Sequence, residues 1–115
     1  MKAIIELGQS AVRMAAQQIT EARQGHAADF RLSFESARLL FAELTPARLD
    51  LMDTLHGIGA CSVYALAKAA SRNYSNVHSD VSRLATLGLI EQGDDGKISV
   101  PFESIEIRFM LAQAA

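Results

Sequence analysis

Between residues 72 and 90 the chain reads RNYSNVHSDVSRLATLGLI, with one helical stripe of apolar residues and a row of short hydroxyls opposite it. Ser75, Ser79, Ser82 and Thr86 form that row, with Asn76 and Arg83 beside them. These side chains donate and accept hydrogen bonds, and most are short enough to let a helix come close to its partner. Asn can bond an adenine edge bidentately, and Arg can pair with a guanine or a phosphate. A row of Glu in the same place would repel phosphate. Most solvated helices carry Lys and Glu there, so the composition of this face suggests the chemistry of DNA contact.

The helical wheel assigns roles. Ser75, Asn76 and Ser79 point outward near the start of the helix, where base edges would lie. Arg72 and Asn73 sit in the turn before it, Arg72 within reach of a guanine or phosphate and Asn73 a plausible cap. Tyr74 lies towards the edge of the apolar stripe, its hydroxyl free to meet a phosphate. His78 flanks the outer face, Arg83 suits a backbone contact, and Lys68 projects from the preceding helix towards the sugar-phosphate rail. Asp80 reads as structural, pairing with Arg83 three residues on or with Arg48 on a supporting helix.

The elements that must position this face follow from local signals. Thr45 followed by Pro46 marks a helix entrance, with Leu49, Met52 and Leu55 as its buried stripe and a stop at Gly57 and Gly59. Ser62 caps a short helix, Val63–Ala70, with Val63, Leu66, Ala67 and Ala70 inward. A three-residue turn, SRN, leads into the polar-faced helix, whose stripe is Val77, Val81, Leu84 and Gly88, and Gly88 suits the left-handed stop. After Ile90 the period changes to two short strands around Gly-Asp-Asp-Gly, a hairpin signal. SIEIRFML then alternates as a half-buried strand. Upstream, MKAIIEL is a short β-like start, Ser10 can cap a helix over Ala11–Arg23, and HAADFRL reads as a connector or short strand. A further helix, roughly Glu35–Leu44, aligns Phe34, Ala37, Leu40, Phe41 and Leu44, with Phe34 and Phe41 as ordinary core.

This order predicts a mostly α chain with a small β-hairpin or sheet: a winged helix-turn-helix domain over residues 33–115, preceded by an N-terminal helical arm over residues 1–32. The alanine-rich helix of the arm buries little per residue, so its stripe needs a partner surface, for dimerisation, for intramolecular packing or for another protein.

The segments LTPARLDLMDTL, SVYALAKAASRNYSNVHSDVSRLATLGLI and ISVPFESIEI resemble the small prokaryotic winged-helix regulators related to the MarR family. In one branch a helix of pattern R-[DN]-Y-x-N-V-H-x-D-V-x-x-L-x-x-x-G-L-[IV] precedes a V-P-[FY] strand; the resemblance runs over about Ser33–Leu111. It implies a DNA-binding transcriptional regulator that is dimeric on double-stranded operator DNA. Some members resemble the antitoxin halves of toxin–antitoxin pairs, which would give the arm a cognate toxin to hold while the winged domain represses its own operon. One departure stands out. The hairpin tip is Asp94-Asp95, with Glu91 before it, where such proteins usually carry basic residues. Lys97 is left with at most a phosphate contact.

Composition sets the limits. A chain of 115 residues with half its residues apolar has room for one core and an attached arm. The net charge is −2, which excludes bulk, nonspecific coating of nucleic acid and requires any such contact to be local. No apolar run is long enough to span a membrane and no secretory pattern opens the chain, so a cytoplasmic protein is expected. Cys61 is the one cysteine, which excludes an internal disulfide. It reads as a small loop residue, with redox sensing by its thiol the alternative. His26, His56 and His78 share no ligand spacing, and no metal or cofactor is expected. Nothing places a nucleophile beside a base or a glycine-rich loop before a helix, so the chain is not expected to be an enzyme. The acidic tip and the net charge favour one rival, a winged-helix protein–protein adaptor that does not bind DNA.

Overall fold

In the computed structural model, residues 1–8, 19–20, 29–109 and 111 are described. In chain order their elements are β1 (Ala3–Leu7), β2 (Phe30–Phe34), α1 (Ala37–Glu43), α2 (Pro46–Ile58), α3 (Val63–Ala70), α4 (Tyr74–Thr86), β3 (Glu91–Gln92), β4 (Ile98–Ser99) and β5 (Ile105–Arg108). The architecture is mixed α/β, so the expectation of a mostly α chain understated the strands. Of the helix expected over Ala11–Arg23, Ile19 and Thr20 are helical and the rest lies outside the described residues. No helix of the described residues is long and apolar enough to cross a membrane.

The chain divides into two compact units, residues 1–43 with 102–115, and residues 44–101. In the first, β1 is the centre of a three-stranded sheet, with β2 and β5 parallel to it on either side. A central parallel strand is buried on both faces and so reads as a continuous apolar run. Ala3, Ile4 and Ile5 fit that demand and are fully buried. Glu6 breaks the run and is also buried, which requires partners. Arg31 Nη1 from β2 lies 3.1 Å from its carboxylate and Arg108 Nη1 from β5 lies 3.4 Å away. The Phe30 and Phe102 rings pack at 5.3 Å between centroids. α1 buries only Leu40. Phe41, expected in the core, is 57% exposed. A two-turn helix buries a narrow stripe, and Phe41 stands about 100° round from Leu40.

The second unit holds α2, α3, α4 and the antiparallel β3–β4 hairpin. Each of the three helices starts on a side-chain cap. Thr45 Oγ1 accepts from the Arg48 N–H (3.2 Å), Ser62 Oγ from Ala65 (3.1 Å) and Asn73 Oδ1 from Asn76 (3.3 Å). Such caps satisfy donors that have no partner inside the helix and are worth about 1 kcal/mol each. The core is Leu51, Met52 and Leu55 from α2, Leu66 and Ala67 from α3, and Val77, Val81 and Leu84 from α4. Leu89, Ile90 and Ile98 are buried as well. On α2 Leu51 is buried alongside Met52 and Leu55, and Leu49 of the expected stripe is half-buried. α4 ends with the Leu89 N–H on the Leu84 carbonyl and the Gly88 N–H on that of Ala85, while Gly88 takes a φ of 85°. That closing pattern needs a left-handed residue, the role the sequence assigns to Gly88. The hairpin turn runs from Gly93 to Lys97, whose N–H donates to Asp95 Oδ1. Cys61 adds a one-residue bridge to β4, exchanging both backbone bonds with Ile98.

Candidate nucleic-acid interface

α3, the turn Ser71–Asn73 and α4 present most of the candidate residues. The turn is tight because α3 closes with the Arg72 N–H on the Ala67 carbonyl and the Ser71 N–H on that of Lys68. Ser71 takes the left-handed conformation this closure needs (φ 55°, ψ 43°), a place usually given to glycine. The turn delivers Asn73 to the N-cap of α4. With Val77, Val81 and Leu84 buried on one side, Ser75, Asn76, Ser79, Ser82, Arg83 and Thr86 are all exposed on the other.

Tyr74 is 49% exposed and sits beside His78 one turn on, their ring centroids 5.9 Å apart. Both rings are exposed on the first two turns of α4. Lys68 is exposed on α3. Tyr64, one turn before it, is 67% exposed, the most open large apolar or aromatic side chain of residues 44–101. Tyr64 falls outside the Val63, Leu66, Ala67, Ala70 stripe and on the side of Lys68, a signal that the sequence already carries.

Two candidates are committed within the protein. Asn73 Oδ1 caps α4. Arg72 Nη2 lies 2.8 Å from Asp80 Oδ2, and Arg48 Nε lies 3.0 Å from Asp80 Oδ1. Asp80 thus ties α4 both to α2 and to the turn before it. Of the two partners expected for Asp80, the structure pairs it with Arg48 and adds Arg72 in place of Arg83. Arg72 therefore holds the helix, and a direct contact with a base would have to break that ion pair. Its Nη1 is buried, with no hydrogen-bond partner among the described residues.

Burial pushes the Asp80 carboxyl up, but hydrogen bonds from Arg72 and Arg48, reinforced by their charges, more than reverse this and hold it below the ordinary carboxylate range. A carboxyl with a lowered folded pKa stabilises the fold above its unfolded value and loses that contribution as pH falls through the folded value. The stability difference between wild type and Asp80→Asn is therefore expected to be full at neutral pH and to shrink below about pH 4. Urea unfolding of both proteins across pH 2–7 checks it, and a difference that does not change with pH would remove the ion pair as its source.

Lys97 is exposed at the end of the hairpin turn, next to the exposed Asp94 and Asp95, so the tip is acidic. Burial pushes the Cys61 thiol up, away from the thiolate that redox chemistry needs. Among the described residues, no group of three or more His, Cys, Asp or Glu could hold a metal ion.

A family model described as HVO_A0114 matches residues 43–107, which takes in the whole of this arrangement. No curated protein and no solved structure matches the chain.

Proposed function

The chain belongs to the HVO_A0114 family, and we propose that it is a sequence-specific DNA-binding transcription regulator of the winged helix-turn-helix type. The observation that carries this reading is the outer face of α4: short polar side chains, all exposed, on a helix held by a buried stripe at one side and the Asp80 ion pairs at its middle. A major groove about 12 Å wide admits one helix, and side chains near its N-terminus reach base edges. Asn76 is the residue proposed to read an adenine, with Ser75 and Ser79 adjusting to neighbouring bases. Tyr74, His78, Lys68 and Arg83 are the residues proposed for phosphate contacts, and Arg72 and Asn73 support the reading by fixing the helix. The β3–β4 hairpin, which follows α4 in the chain, is proposed as the wing, and its acidic tip limits it to a phosphate contact from Lys97.

Residues 62–86 carry Lys68, Arg72 and Arg83 against one acid, Asp80. That locally positive segment in a chain of net charge −2 supports a contact confined to one face. Dimeric binding to a palindromic operator would join two such modest interfaces, and repression of its own operon, with a cognate toxin as protein partner, completes the proposal. A second reading, a winged-helix adaptor that binds protein and not DNA, is favoured by the acidic tip and the net charge of −2.

A titration of the chain against DNA from upstream of its own gene, at two salt concentrations with unrelated DNA as competitor, separates the two. Competitor-resistant binding that weakens with salt is expected. A folded protein that binds no DNA would leave the adaptor. In the same assay Asn76→Ala is expected to cost about 1–3 kcal/mol of operator affinity at unchanged stability, and a Lys68 substitution to reduce the salt dependence by about one counterion. Unchanged affinity in Asn76→Ala would remove it from the base contacts.

A further inference from the structure

β5 is an edge strand, and among the described residues no strand lies on its outer side. Its backbone is oriented by the parallel ladder with β1. The Ala3 N–H bonds the Ser104 carbonyl, and Ala3 is in register with Ile105. In a parallel ladder alternate residues bond one neighbour, so Ser104, Glu106 and Arg108 turn their backbone groups towards β1. Ile105 and Ile107 turn theirs to the open edge, and continuing the strand by one residue adds Phe109. The side chains of these same three residues share one face, and Ile107 (38%) and Phe109 (61%) are exposed on it. An edge with free backbone groups and exposed apolar side chains invites another strand.

We propose that this edge pairs with β5 of a second copy of the chain, antiparallel and centred on Ile107. The charges select both occupant and register. Two-fold pairing centred on Glu106 sets Glu against Glu, and centring on Arg108 sets Arg against Arg, arrangements that cross-strand pairs disfavour. Centring on Ile107 sets each Glu106 opposite the partner's Arg108 and each Ile105 opposite the partner's Phe109. It also makes Ile107 a hydrogen-bonded pair, as its outward N–H and carbonyl require. Glu106 and Arg108 are already 3.0 Å apart within one chain and remain 40% and 49% exposed, so both can reach a partner. The result is an isologous interface joining two three-stranded sheets into one of six. This rests on the dimer of the proposed function and names its surface; it does not depend on DNA.

Mass measurement by light scattering, without DNA and over a concentration series, tests it. Wild type is expected at twice the mass of the chain. Ile107→Pro removes an N–H that faces the open edge and not β1, a position where an edge strand tolerates proline. It is expected to give single chains with an unchanged circular dichroism spectrum. Glu106→Lys alone and Arg108→Glu alone are each expected to be single chains, and their mixture to recover the double mass, because each then faces its opposite charge. A wild type of single mass, an Ile107→Pro variant that stays double, or a folded mixture that stays single would overturn the proposal. Loss of operator binding in a protein that keeps its double mass would count against the DNA reading instead.

Discussion

Leu84→Ala is expected to lower the unfolding free energy by about 2–5 kcal/mol, the range for emptying a leucine site in a packed core. Leu84 is fully buried, and its carbonyl also accepts the Leu89 N–H that closes α4. Leu55, Leu66, Val77 and Leu89 are fully buried in the same unit, so close packing leaves little slack to fill the space the lost methyl groups leave. Urea unfolding measures the loss. The contrast with Asn76→Ala is the informative part: Leu84→Ala should act on stability, and Asn76→Ala on operator affinity alone. A cost well under 1 kcal/mol at Leu84 would mean that α4 is held by something other than its apolar stripe.

Asp80→Ala is expected to cost about 1.5–3 kcal/mol, the range for losing hydrogen bonds to a charged group. It removes both bonds and leaves Arg48 and Arg72 with no carboxylate between them. Their side chains are 20% and 30% exposed, so water recovers part of the loss and the lower half of the range is favoured. Arg48→Ala and Arg72→Ala each remove one of the two bonds to Asp80, and Arg72→Ala should cost less than Asp80→Ala. Because the two arginines share one carboxylate, their effects should not add, and the double variant measures the coupling. Operator affinity should fall in Arg72→Ala together with stability, as befits a residue that positions α4. A fall in affinity at full stability would instead assign Arg72 a direct contact with DNA.

Much of the second unit was legible because its signals are local. Thr45-Pro46, Ser62 and Asn73 each place a capping side chain beside the backbone donors it must satisfy, and the three helices begin there. The 3.6-residue period of Val77, Val81 and Leu84 separates the buried from the exposed side of α4 without reference to any other segment. Phe41 and Leu49 show the limit of that reasoning. Periodicity tells which residues share a stripe, while the width of the stripe that is covered depends on what lies against it.

Within the candidate interface, the sequence alone determined the polar outer face of α4, its cap, its left-handed stop and the hairpin with its acidic tip, since each is set by residues a few positions apart. Only the tertiary structure decided that Arg72 and Arg48 share Asp80, because Arg48 and Asp80 lie 32 positions apart in the chain. It alone also decided that the strands at residues 3–7, 30–34 and 105–108 lie side by side in one parallel sheet. Alternation or an apolar run marks a strand, but which strands pair, and in what register, is settled by long-range burial and by partners such as those of Glu6, which no short stretch of sequence contains.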